Sequence, residues 1–162
     1  MPSTRTALLL GVVAVATVGV YVTAFALDTT RDRPDTLDVG PVPGAAASAC
    51  ARLRVSLDAL APLAPGSPQA DRLARLAVQD RAVRDLVTSV RAVGEPALRR
   101  DVPSEQWLSD WTALADARLA YTAAGATGPF SPPMQDGRPV TDRMGMVGVS
   151  ACSVPQALTV AP

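Results

Sequence analysis

The residues best suited to binding chemistry in this 162-residue chain fall in one helical stretch past its middle. At 100° per residue, four of them project from one arc of about 80° on a single helix. They are Trp107, Trp111, Arg118 and Tyr121. The guanidinium could bind an anionic ligand group or a partner's carboxylate, and the indoles could form a platform for a protein surface or a sugar ring. These four side chains are the candidate ligand or partner contacts.

The same stripe also has a structural interpretation, which we favour. Tryptophans one turn apart, in a chain with only 4% aromatic residues, are typical core anchors. Arg118 would then stack on a neighbouring ring, Trp111 or Tyr121. It would pair with an acid from the C-terminal segment, Asp136 or Asp142.

The chain lacks the side chains on which most nucleophilic and metal chemistry depends. It contains no His and no Lys, which excludes His-dependent triads, His metal sites and Lys Schiff bases. Asp110, with Glu105 five residues earlier, comes nearest to the carboxyl pair of a glycoside hydrolase. Positions i and i+5 differ by about 140° around a helix, so these two side chains do not converge. We expect no catalytic residue, no metal and no cofactor.

The only two cysteines, Cys50 and Cys152, are predicted to form a disulfide. A zinc site would need further thiolates or histidines, and a catalytic cysteine would need a base to activate it. The loop closed by the bond is about 100 residues long, for which chain entropy alone gives about 4 to 5 kcal/mol of stabilisation.

An uncharged apolar run at residues 7–27 is long enough to span a bilayer as a helix. We interpret it as a signal-anchor, with residues 1–6 cytoplasmic and the rest of the chain outside the cytoplasm. The alternative is a cleaved signal peptide, with Ala26 at the cleavage site and a secreted product. Residues 28–45, rich in Asp and then in Pro and Gly, are predicted to be a flexible tether.

The segments that position the candidate contacts are three predicted helices. Apolar periodicity and flanking Pro and Gly residues place them at about 46–60, 69–93 and 103–124. After Gly128 the density of Pro and Gly predicts an irregular segment, with a turn at Asp136-Gly137. The fold class is therefore mainly α: a transmembrane helix, then a three-helix extracytoplasmic domain at 46–158 closed by the disulfide, and a tail at 159–162.

Three runs in the last third of the chain form a pattern. They are the stripe from Trp107 to Tyr121, the segment 136–144 (DGRPVTDRM) and the segment 151–155 (ACSVP). The pattern resembles small membrane-anchored extracytoplasmic proteins of high-GC Gram-positive bacteria. The resemblance implies an anchored, exported chain and brings no catalytic residue, ligand or function with it.

Composition and organisation together lead to three function hypotheses. Fifteen Arg against fifteen acidic residues give a net charge of zero, so we expect no nucleic-acid partner. The first hypothesis is a non-enzymatic interaction or accessory module of the cell envelope, held in the lipid bilayer through residues 7–27. The second is a binding domain for an anionic metabolite or a cell-wall glycan, with Arg118 and the tryptophans as its floor. The third is a carboxylate-based hydrolase.

Overall fold

The computed structural model describes residues 36–147 and 152–160, and within these ranges the chain is mainly helical, as predicted. Its elements are α1 (Val42–Asp58), α2 (Gln69–Arg91), α3 (Glu95–Leu98), α4 (Ser104–Ala123), β1 (Met134–Gln135), β2 (Arg138–Pro139), α5 (Val140–Met146) and a 3-10 helix, η1 (Gln156–Leu158). The predicted residues 1–6 and signal-anchor 7–27 lie outside the described ranges. Among the helices of the described residues, none has both the length and the apolar character needed to cross a bilayer.

The folded domain begins earlier than the predicted boundary at residue 46. Leu37 is 5% exposed and Val42 is fully buried, so the last part of the predicted tether belongs to the core. The Leu37 amide donates to the Val147 carbonyl at 3.1 Å, which ties this entry segment to the end of α5. Pro41 and Pro43 are typical of a tether, yet here they lie at the N-cap and in the first turn of α1. Proline is tolerated there because its missing N–H would have no intrahelical partner.

Three long helices build the core in the order in which they occur. α1 packs on α2, α2 packs on α4, and α4 packs on α5. α1 buries one stripe of residues, whose members recur at helical spacing. These are Val42, Ala46, Ala49, Cys50, Leu53 and Leu57.

α2 and α4 contribute polar as well as apolar side chains to the interior. α2 buries Leu76, Gln79, Asp80, Ala82, Val83, Leu86 and Val90. α4 buries Ser104, Trp107, Leu108, Asp110, Trp111, Leu114, Ala115 and Arg118. The core between these two helices therefore contains charged groups that need partners.

The segment after Gly128 wraps over the helices, but part of it is regular. Asp136 and Gly137 form the two-residue turn of a hairpin, with φ of 51° and 76° as a type I′ turn requires. α5 follows directly, with Pro139 at its N-cap and no side-chain cap. Of the predicted tail, residues 159 and 160 are described, and the Thr159 amide donates to the Gln156 carbonyl at 2.9 Å.

The disulfide between Cys50 and Cys152 is present, as predicted. The two Cα atoms are 5.3 Å apart and the residues are separated by 102 positions. The bond joins α1 to the C-terminal segment, and both residues are buried. The end of the chain is thereby held against its first helix.

Candidate functional site

The aromatic stripe of α4 lies inside the molecule. Trp107 is 1% exposed and Trp111 is fully buried, and their rings meet edge to face with centroids 6.0 Å apart. Neither indole forms an exposed platform for a protein surface or a sugar ring. The structural interpretation of the tryptophans therefore holds, and their role as ligand or partner contacts is corrected.

Arg118 is also buried, and its guanidinium is surrounded by acceptors. Its Nε donates to Asp80 Oδ1 at 2.8 Å, its Nη2 to Gln79 Oε1 at 2.5 Å and its Nη1 to the Leu158 carbonyl at 2.9 Å. The ring of Phe130 lies 5.7 Å from the guanidinium carbon. This guanidinium is 1% exposed and donates to these three acceptors, so it is not the floor of an open anion site.

The partner of Arg118 differs from the predicted one. The sequence predicts Asp136 or Asp142 of the C-terminal segment as the partner, yet the carboxylate comes from Asp80 of α2. The C-terminal segment supplies the Leu158 carbonyl instead. The arginine therefore ties α4 to both α2 and η1.

Tyr121 has a structural role at the end of α4. Its hydroxyl lies 3.1 Å from the Ala126 carbonyl and 2.8 Å from the Gly128 carbonyl. Its ring is 5.4 Å from that of Phe130. These contacts hold the loop that follows α4, and a ligand or partner contact of the half-buried Tyr121 ring stays a prediction.

A surface cavity of about 690 Å³ lies elsewhere, between the start of α4, the hairpin and α5. We call it the hairpin pocket. It is lined by Val102, Pro103, Gln106, Asp110, Arg138, Arg143, Met146 and Val147. None of the predicted contacts lines it.

The base of the hairpin pocket is a chain of paired polar groups. Asp110 is 1% exposed and accepts hydrogen bonds from Gln106 Nε2 at 3.1 Å and from Arg143 Nε at 3.2 Å. Arg143 also pairs through Nη1 with Asp136 in the hairpin turn. This chain of pairs connects α4, α5 and the hairpin.

Burial and ion pairing act in opposite directions on the pKa values of Asp110 and Arg143. Burial raises the pKa of Asp110 above its ordinary value of 3.8, although Arg143 and Gln106 act in the opposite direction. Burial lowers the pKa of Arg143, but its bonds to Asp136 and Asp110 raise that pKa by more, so the guanidinium remains charged. Within this ion pair, burial disfavours the charged form of the carboxylate more than its partners stabilise it.

The rim of the hairpin pocket carries apolar side chains and a second guanidinium. Val102 is 63% exposed and Met146 is 54% exposed. Arg138 is exposed, and its Nη1 lies 3.7 Å from Met146 Sδ. Among the described residues Arg138 has no ion-pair partner, whereas Arg143 beside it has two.

The carboxyl pair considered for hydrolysis does not share a cavity. Asp110 lines the hairpin pocket, whereas Glu105 lines a smaller cavity of about 340 Å³ with Arg91, Glu95 and Leu108. Two carboxyls on different cavities cannot act on one glycosidic bond. In the described part of the chain, no group of three or more Cys, Asp or Glu side chains is arranged to hold a metal ion.

The sequence contained signals for some of the groups that were missed. Asp80 stands four residues after Leu76 and three before Val83, which places it on the buried stripe of α2. The pairing of Arg143 with Asp110 spans 33 residues and depends on how the hairpin folds back. No local spacing could have revealed it.

Comparison with known proteins adds no relative. No protein-family model matches the sequence, and no match was found among the curated proteins or the solved structures. The geometry of the site therefore has to support any functional conclusion.

Proposed function

We propose that this chain is a membrane-anchored, extracytoplasmic interaction module without enzymatic activity, which binds an envelope protein through the hairpin pocket. In this proposal residues 7–27 form the anchor. The buried disulfide supports an oxidising compartment outside the cytoplasm. The resemblance to small anchored proteins of high-GC Gram-positive bacteria is in line with the same placement.

The observation that carries the proposal is the contrast between the hairpin pocket and the core. In the core, Arg118 is buried and donates to three acceptors, two on α2 and one on η1. At the pocket, the apolar side chains of Val102 and Met146 are more than half exposed beside a guanidinium that no described carboxylate neutralises. Met and Arg, which are neighbours here, are both enriched at protein interfaces.

Photo-crosslinking in intact cells tests this function. A benzophenone amino acid replaces Met146 in the full chain, and the same amino acid replaces Val55 as the control. Val55 is 69% exposed on α1 and lines none of the cavities described above. We expect a discrete protein adduct from position 146, in the membrane fraction, and none from position 55. Equal adducts from both positions, or none from position 146, would contradict the proposed function.

A further inference from the structure

The charges around the hairpin pocket are unevenly paired. Two guanidiniums, Arg138 and Arg143, line it with the Asp110 carboxylate, and the Asp136 carboxylate of the hairpin turn lies beside them. Both carboxylates pair with Arg143, whereas among the described residues Arg138 has no ion-pair partner. Arg138 is therefore the guanidinium of this pocket to which a further carboxylate can bind.

The apolar surface of the pocket adjoins that position. Met146 Sδ is 3.7 Å from Arg138 Nη1, and Val147 continues the apolar lining. A ligand that uses both features needs a negative group and an apolar group in direct succession. An acidic residue next to an aliphatic one in a polypeptide has this arrangement.

The exposure of the rim favours a polypeptide over a small molecule. Pockets for small ligands usually bury about 70 to 90% of the ligand surface. Here Val102 and Met146 project from the rim with more than half of their surface exposed, which suits a segment that lies across the opening.

We infer that the hairpin pocket binds a partner polypeptide by one carboxylate on Arg138, with the neighbouring aliphatic side chain packed on Met146 and Val147. This inference rests on the function proposed above and adds the chemistry of the partner. The guanidinium forms a charge-assisted hydrogen bond to the carboxylate. Arg143 stays with its two acids and holds the hairpin in place.

A peptide titration followed by NMR tests the inference on the full chain in lipid nanodiscs. The probe is an end-blocked hexapeptide of Gly and Ser with Glu-Leu at its centre, and the matched probe carries Gln-Leu. We expect the Glu peptide to shift the backbone amides of the pocket residues, with a Kd about three to five times lower than that of the Gln peptide, as one solvent-exposed ion pair would give. Raising the salt concentration from 50 to 500 mM should remove most of this difference, because the contact is solvent-exposed.

Two variants assign the effect to the pocket. Arg138→Gln should reduce the affinity for the Glu peptide to that for the Gln peptide. Arg84→Gln, which changes an exposed arginine of α2 that lines neither the hairpin pocket nor the other cavities described here, should leave the affinity unchanged. Retained dispersion of the amide spectrum shows that each variant is folded.

Several results would overturn the inference, and they differ from those that overturn the proposed function. Equal affinity for the two peptides, or shifts outside the pocket, would exclude a carboxylate on Arg138. Tighter binding of free 4-methylpentanoate than of the Glu peptide would indicate a small-molecule site. A crosslinked adduct at position 146 that persists in Arg138→Gln would support the interaction module but exclude a partner carboxylate bound to Arg138.

Discussion

Within the part of the chain that the structure describes, the buried carboxylates Asp80 and Asp110 each pair with an arginine, and their surroundings give them different energetic roles. Asp80 and Arg118 are both almost completely enclosed, and Gln79 and the Leu158 carbonyl complete the set of acceptors. Asp110 is equally enclosed, but its partner Arg143 reaches the pocket surface. Loss of the first carboxylate leaves a charge inside the core, whereas loss of the second leaves a charge that water and Asp136 can satisfy.

Asp80→Ala should therefore be severely destabilising. Removing one member of a buried ion pair costs about 3 to 5 kcal/mol, because the remaining charge loses its compensation. Urea unfolding monitored by tryptophan fluorescence measures this loss in the free energy of unfolding. The control is Glu95→Gln, which breaks an exposed pair with Arg99 and should cost less than about 1 kcal/mol. Equal losses in the two variants would show that the Asp80 pair is not a structural centre.

Asp110→Asn should change the pH dependence of stability with a definite sign. The raised pKa means that the folded protein holds this proton more tightly than the unfolded chain does, so the contribution to the free energy of unfolding falls as pH rises from about 3.8 through the higher folded value. The variant has no carboxyl group at position 110, so its free energy of unfolding does not fall in this way. The free energy of unfolding of Asp110→Asn, relative to the parent chain, should therefore increase across that window.

Urea unfolding of both proteins at several pH values from 3 upward measures this difference. Asp116→Asn, an exposed carboxylate on the same helix, is the control. A relative stability that decreases as pH rises would mean that the ion pair with Arg143 outweighs the burial of Asp110.

At the scale of elements, two glycines differ in whether their backbone conformation requires glycine. Gly94 connects α2 to α3 with φ of 90° and ψ of 148°, a region that side-chain-bearing residues rarely enter. Gly44 lies within α1, where φ is not positive and an added Cβ would have no heavy atom within 4 Å. The first glycine is required by its backbone conformation, and the second is not.

Alanine at the two positions should have opposite effects. Gly94→Ala should destabilise the protein by about 1 to 3 kcal/mol through backbone strain. Gly44→Ala should stabilise it by about 0.5 to 1 kcal/mol, because alanine restricts the unfolded chain and favours the helix. Paired thermal unfolding curves compare the variants, and a loss of stability in Gly44→Ala would contradict the helical conformation assigned to this residue in the first turn of α1.

The elements themselves were largely predictable from the sequence, whereas their charged contacts were not. Apolar periodicity placed the three long helices within a few residues, and the Asp136-Gly137 turn followed from residue types. The start of α1 was misplaced because Pro41 and Pro43 look like tether residues when the helix behind them is unknown. Local patterns report the faces of an element, but not which element lies against it.

The candidate site shows the same limit more strongly. The aromatic stripe is the most conspicuous pattern in the sequence, and its tryptophans and arginine are buried in the core. The hairpin pocket combines residues from positions 102–110 with residues from positions 138–147, which the hairpin and α5 bring together. Without that tertiary arrangement, Arg138 is one exposed arginine among many.

For the whole molecule, the disulfide limits the freedom of the unfolded chain. The Cys50→Ala, Cys152→Ala double variant should lose about 4 to 5 kcal/mol as an upper value, since the closed loop is long. Urea midpoints of the oxidised, reduced and double-variant proteins measure this loss. The reduced parent and the double variant should agree closely. A difference of less than 1 kcal/mol between oxidised and reduced protein would mean that the entropic contribution is offset by strain.

The same bond also determines how the domain would respond to a stretching force. When the oxidised chain is pulled at its two ends, it can lengthen only through the residues outside the closed loop. The disulfide carries the force directly from one cysteine to the other, although 102 positions separate them in the sequence. Reduction would release roughly 340 to 370 Å of additional contour length. A protein fixed at one end and loaded at the other would thus keep α2, α4, α5 and the hairpin pocket, all of which lie inside the closed loop, shielded from tension for as long as the sulfurs stay joined.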